Sequence, residues 1–81
     1  MRAAQVALAD DDGARALALV RDHAKRFPNG QLVQEREAAR VRALCALDRT
    51  DDATTAAQRF VERWPRSPQT ARLRGTCVEL P

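Results

Sequence analysis

Apolar residues recur along this chain at spacings of three and four, the period of an α-helix. Between Gly13 and Arg26, one face carries Ala16, Leu19, Val20, His23, Ala24 and Phe27, while Arg15, Arg21, Asp22, Lys25 and Arg26 lie mostly off it. The same stripe returns over Asp51 to Trp64 as Ala53, Ala56, Ala57, Phe60, Val61 and Trp64. Each of these stands 37 residues after its counterpart, and five of the six pairs are apolar in both copies. His23, the counterpart of Phe60, is the exception.

Three further helices are predicted. The first runs from Arg2 to Ala9, with Ala3, Ala4, Val6, Ala7 and Leu8 as its apolar residues. The third spans Gln31 to Leu47 and turns Ala38, Val41, Leu44 and Cys45 inward. On it, Glu37 and Arg40 form a favourable pair three apart, whereas Arg36 and Arg40 repel four apart, so one arginine needs another partner. The fifth starts at Ser67, a good N-cap followed by Pro68, and runs to Glu79 with Ala71, Gly75, Val78 and either Leu73 or Cys77 inward. Gly75 costs about 1 kcal/mol against alanine in mid-helix, so a close neighbouring helix is expected there. Asp10, Asp11 and Asp12 suit the start of the second helix. Pro28 and Pro65, also 37 residues apart, end the second and fourth helices.

A period of this size with helix, turn and helix inside it marks a helical repeat. The expected class is therefore all-α: five helices in antiparallel hairpins, stacked as a short right-handed α-solenoid of about two repeats, in a single domain over residues 1–81. Ala46 to Ala53 resembles the helix–turn–helix junction of tetratricopeptide repeats. Asp48 stands where that family has a small residue, often Gly; Thr50 replaces an aromatic residue; Ala53 and Pro65 match the packing alanine and the terminal proline. One period earlier the four places hold Asp11, Gly13, Ala16 and Pro28, so the alanine and proline match in both copies. Arg26 to Gly30 and Arg63 to Pro68 are most similar to the bacterial envelope branch, in which an aromatic-Pro-x-Ser-Pro segment joins successive repeats. The resemblance covers nearly the whole chain. It implies a scaffold for protein–protein contacts in a bacterial envelope or regulatory complex, periplasmic or cell-envelope as a domain of a larger protein, with a cytoplasmic setting as the alternative.

Composition narrows the function classes. The chain has 81 residues and net charge +3, with Lys25 its only lysine. Its basic residues are mixed with acids, no basic run exceeds two, and no aromatic cluster offers a stacking platform, which argues against a nucleic-acid face. An arginine-rich nucleic-acid-binding helical domain is the alternative function. No stretch approaches the roughly 20 apolar residues that span a membrane, so no membrane insertion by this segment is expected. His23 has no nucleophile beside it and reads as structural, so neither catalysis nor a cofactor is expected.

Cys45 and Cys77 fit no metal-ligand spacing. Both fall at apolar helical positions, as small hydrophobes or as a disulfide. The repeat places Cys77 level with Arg40, five residues before Cys45, an axial offset of about 7.5 Å. A disulfide needs Cα atoms within roughly 7 Å, so two free thiols are expected.

The expected function is a non-catalytic interaction module for a protein or peptide partner, with self-association also open. In stacked repeats the first helix of each unit lines the concave face. Repeat spacing puts Glu35, Arg42, Arg72 and Glu79 near that face, where Ala38 and Gly75 would make it shallow.

Overall fold

Two turns of matching geometry set the path of the chain. In the computed structural model, which describes residues 2–30 and 32–78, the elements are α1 (Arg2–Ala9), α2 (Gly13–Arg26), α3 (Val33–Ala46), α4 (Thr50–Arg63) and α5 (Gln69–Leu73). All five are helices, and no strand occurs among the described residues. Asp11 after α1 and Asp48 after α3 both adopt the left-handed conformation, at φ 56° and 57°. Around each, two amides return to the preceding helix. Asp12 N–H reaches the Ala7 carbonyl at 2.8 Å and Asp11 N–H the Leu8 carbonyl at 3.0 Å; Arg49 and Asp48 repeat this on Leu44 and Cys45 at 2.9 and 3.0 Å. This is the Schellman arrangement, which satisfies the carbonyls a helix leaves open at its C-terminus. Asp12 also caps α2, its carboxylate accepting from Arg15 N–H at 3.1 Å.

The exits of α2 and α4 repeat as well. Phe27 and Trp64 leave the helix at φ −134°, ψ 61° and φ −131°, ψ 70°. The backbone thus recurs at the 37-residue interval read from the two prolines. The second and fourth helices fall within one residue of their predicted bounds.

Helices α2 and α3 run antiparallel. Gly13, at the start of α2, lies against Ala43, Ala46 and Leu47 at the end of α3. At the opposite end, the Arg36 guanidinium donates to the Phe27 carbonyl at 2.9 Å. The core is alanine-rich: Ala16, Ala38, Ala43, Ala53 and Ala57 are buried with Leu17, Val41, Leu44, Phe60 and Leu73, and Ala4, Val20 and Ala39 form a second cluster. Small side chains let helix axes approach closely.

Four expectations need correction. First, α5 stops at Leu73 instead of reaching Glu79, and Glu79 lies outside the described residues. Arg74, Gly75 and Thr76 close it with turns, their amides returning to Thr70, Arg72 and Leu73. Second, no helix crowds Gly75: the nearest atom to an added Cβ is the Arg72 carbonyl oxygen at 3.5 Å. The close approach belongs to Gly13, whose added Cβ would sit 2.9 Å from both the Ala43 oxygen and the Ala46 Cβ.

Third, Cys45 and Cys77 form a disulfide with Cα atoms 5.5 Å apart. The free-thiol expectation took repeat-equivalent residues for neighbours. Along α3, Ser67 meets Gln34 at 2.8 Å and Cys77 meets Cys45, offsets of 33 and 32 residues. The segment after α4 is therefore shifted by about one turn from the repeat register, and its non-helical end carries Cys77 onto α3. Fourth, Phe27 is 55% exposed, although its counterpart Trp64 is half-buried. The first turns of α3, through Gln34, Glu37 and Arg40, flank Trp64.

Two stability outcomes follow. Gly13→Ala overpacks the α2–α3 contact and lowers stability by about 1–3 kcal/mol in chemical denaturation, whereas Gly75→Ala is neutral or stabilising. Equal effects at both sites would refute the close approach at Gly13. Separately, closing the 32-residue separation between the cysteines contributes about 3–4 kcal/mol in the chain-entropy view. A reductant should lower the melting temperature by on the order of 15 °C. Intact mass before reduction should lie two hydrogens below the thiol form, and labelling of both cysteines in the unreduced, unfolded chain would exclude the bridge.

Candidate partner-binding groove

The 37-residue period places equivalent residues of α1 and α3 side by side. Gln5 on α1 and Arg42 on α3 are one period apart, and the Arg42 guanidinium donates to the Gln5 side-chain oxygen at 3.0 Å. Glu35 on α3 and Arg72 on α5 are also one period apart. Both border the same groove of about 300 Å³. Arg2 and Gln5 come from α1, Glu35, Ala38, Ala39 and Arg42 from α3, and Gln69, Arg72 and Leu73 from α5. Leu73 is fully buried and Ala38 and Ala39 nearly so, which makes the floor apolar and shallow.

Glu35, Arg42 and Arg72 thus border one groove, although α5 brings Arg72 there about one turn out of the repeat register. Arg2, Gln5 and Gln69 join them without having been picked out from the sequence. The signal was present: stepping one period back from Arg42 gives Gln5, and from Ala39 gives Arg2. Three arginines against Glu35 make the described rim cationic. Each is exposed, so the rim is wet and its charges are screened by salt. Among the described residues no group of three or more His, Cys, Asp or Glu could hold a metal ion, and no helix is long and apolar enough to cross a membrane.

A charged clasp on the far side of α3 fixes the wall that carries the groove. Arg36 is buried, with 5% of its surface exposed, and its Nε donates to the Glu37 carboxylate at 2.7 Å. Glu37 also accepts from Arg40 Nε at 2.9 Å. The repulsion expected between Arg36 and Arg40 is relieved by this shared carboxylate and by the Phe27 carbonyl. Burial pushes the Glu37 carboxyl up, but hydrogen bonds from Arg36 and Arg40 outweigh it and hold the group below its ordinary value.

His23 is half-buried, its ring 5.2 Å from that of Phe27. Its Nδ1 is shielded from solvent and has no hydrogen-bond partner among the described residues. Desolvation lowers its pKa, the nearby Arg36 cation lowers it further, and Asp22 opposes. His23, Phe27, Gly30 and Leu32 line a small hollow without a nucleophile among its residues.

Both shifts make the fold acid-sensitive. The unfolded chain protonates His23 more readily than the folded one, so stability falls as pH drops through about 6.5. The Glu37 contribution is complete above about 4.5 and is lost as pH falls below it. His23→Phe should remove the upper step in melting temperature against pH, and Glu37→Gln the lower. An unchanged upper step in the His23→Phe variant would show that the proton binds elsewhere.

No family model, no curated protein and no solved structure matches this chain.

Proposed function

We propose that the chain is a non-catalytic interaction module of tetratricopeptide type, two helix hairpins and a following helix stacked as a short right-handed α-solenoid. Its α1–α3–α5 groove holds a carboxylate-bearing peptide segment of a partner protein. The observation that carries this reading is the convergence of Glu35, Arg42 and Arg72, from two helices, over a floor of Ala38, Ala39 and Leu73. Arginine presents a planar fork of donors that suits a carboxylate, and alanine leaves room for a peptide backbone. Glu35 supplies the opposite charge at one side, so an extended segment meets a polar pattern with direction.

The backbone supports the repeat assignment. Asp11 and Asp48 occupy the place at which tetratricopeptide repeats favour Gly, and both are left-handed, the conformation that Gly adopts at least cost. Ala16 and Ala53, the packing alanines, have no exposed surface. The Cys45–Cys77 disulfide supports an oxidising compartment, in keeping with the cell envelope. It also anchors the α5 wall of the groove to α3.

The test is fluorescence anisotropy with a labelled peptide that ends in a free carboxylate and with its C-terminal amide. The carboxylate form should bind more tightly. Reversing both cations, Arg42→Glu with Arg72→Glu, should weaken it by about tenfold or more while leaving the helical circular dichroism unchanged. Equal binding of acid and amide, or no effect of the double reversal, would overturn the groove as the partner site.

A further inference from the structure

The two copies of the repeat differ in charge at several positions, and at one of them the change turns an attractive pair into a repulsive one. On α2, Asp22 and Arg26 stand four apart and form an ion pair at 3.2 Å. Their counterparts 37 residues later, on α4, are Arg59 and Arg63. There the same spacing sets cation against cation, so the pair repels where its counterpart attracts. Arg59, Arg63 and Arg66 are all exposed, and none forms an ion pair with a described residue. Of the nearby carboxylates, Glu37 is already shared by Arg36 and Arg40, and Glu62, three residues after Arg59, forms no ion pair with a described residue.

Arg59 and Arg63 border a groove between α3 and α4, and Arg66 borders the neighbouring hollow. Glu37, Arg40, Ala56, Arg59, Arg63 and Trp64 are among the residues that line the groove's volume of about 460 Å³. Trp64 is half-buried, its ring 4.9 Å from that of Phe60 and 4.6 Å from the Arg63 guanidinium. At 100° per residue, Glu37 and Arg40 point away from Glu35, Ala38 and Arg42, so this groove and the carboxylate groove lie on opposite sides of α3.

We propose that the α3–α4 groove is a second docking surface, which takes an acidic polypeptide segment bearing an apolar side chain. Carboxylates of the segment stand between Arg59 and Arg63, supplying from outside the charge that Asp22 supplies within α2. The apolar side chain lies against Trp64 and Ala56. Phosphate would answer the charge equally, but a single-stranded nucleic acid is held by aromatic faces on which successive bases stack. Trp64 is the only tryptophan in the chain, and one of its faces is already held by Arg63.

That single tryptophan makes the site its own reporter. An acetylated, amidated peptide of alternating glutamate and leucine should shift Trp64 emission on titration into the full chain. A glutamine–leucine peptide and a single-stranded oligonucleotide should not do so at the same concentration. Arg59→Asp restores the pairing seen on α2, so it should raise the melting temperature and weaken the acidic peptide by about tenfold or more. This loss cannot be ascribed to misfolding. The double reversal of Arg42 and Arg72 should leave the emission response intact, which separates this surface from the carboxylate groove. Undiminished binding to the Arg59→Asp variant, a stronger response to the oligonucleotide, or loss of the response in the Arg42, Arg72 variant would each overturn the proposal.

Discussion

Every other helix packs on α3, and that crowding governs the fold. Seven of its fourteen residues are buried: Val33, Arg36, Ala38, Ala39, Val41, Ala43 and Leu44. A helix with neighbours on several sides cannot keep one wide apolar face and one wide polar face. Its buried positions must be small, so that axes approach, and any charge among them must be satisfied at once. Arg36 meets that condition through the Phe27 carbonyl and Glu37. A buried cation adds little net stability when paired but is costly when left alone. The clasp therefore fixes where α2 ends against α3 more than it strengthens the core.

The same crowding explains which helices were legible in the sequence. The second and fourth helices keep most of their buried residues on one stripe, so their patterns read clearly and their bounds lie within a residue of expectation. Leu17 and Arg36 were missed as buried residues, because α2 and α3 are covered over a wider arc than one stripe. The fifth helix failed for another reason. Its apolar residues keep helical spacing through Val78, but Gly75 and Thr76 are weak helix formers, and turns there let Cys77 reach Cys45. Periodicity records which positions are apolar; it does not record a covalent tie that pulls the chain out of register.

The first groove was half legible. Repeat arithmetic holds between α1 and α3, where it sets Gln5 against Arg42, and Glu35, Arg42 and Arg72 do border one groove. It fails along α5, where contacts to α3 run at offsets of 32 and 33. That shift moves Arg72 and Leu73 along α3 without removing them from the groove, because one helical turn returns a residue to nearly the same face. Gln5 needed only one more step of the same arithmetic.

Where two copies of a unit share backbone geometry, their differences are more informative than their likeness. The shared features here are those the fold requires: left-handed Asp11 and Asp48, buried Ala16 and Ala53, and the turns after Phe27 and Trp64. None of them calls for Arg59 where the first copy has Asp22. A helix chosen for stability alone would keep the acid, because it pairs with the arginine one turn on. At Gly13 the departure has an internal cause, since α3 leaves no room for the side chain that Thr50 carries in the other copy. At Arg59 no described residue offers such a cause, and the uncompensated charge faces outward beside a half-buried indole. Where packing accounts for one departure and not for the other, the second is the one that points outside the chain.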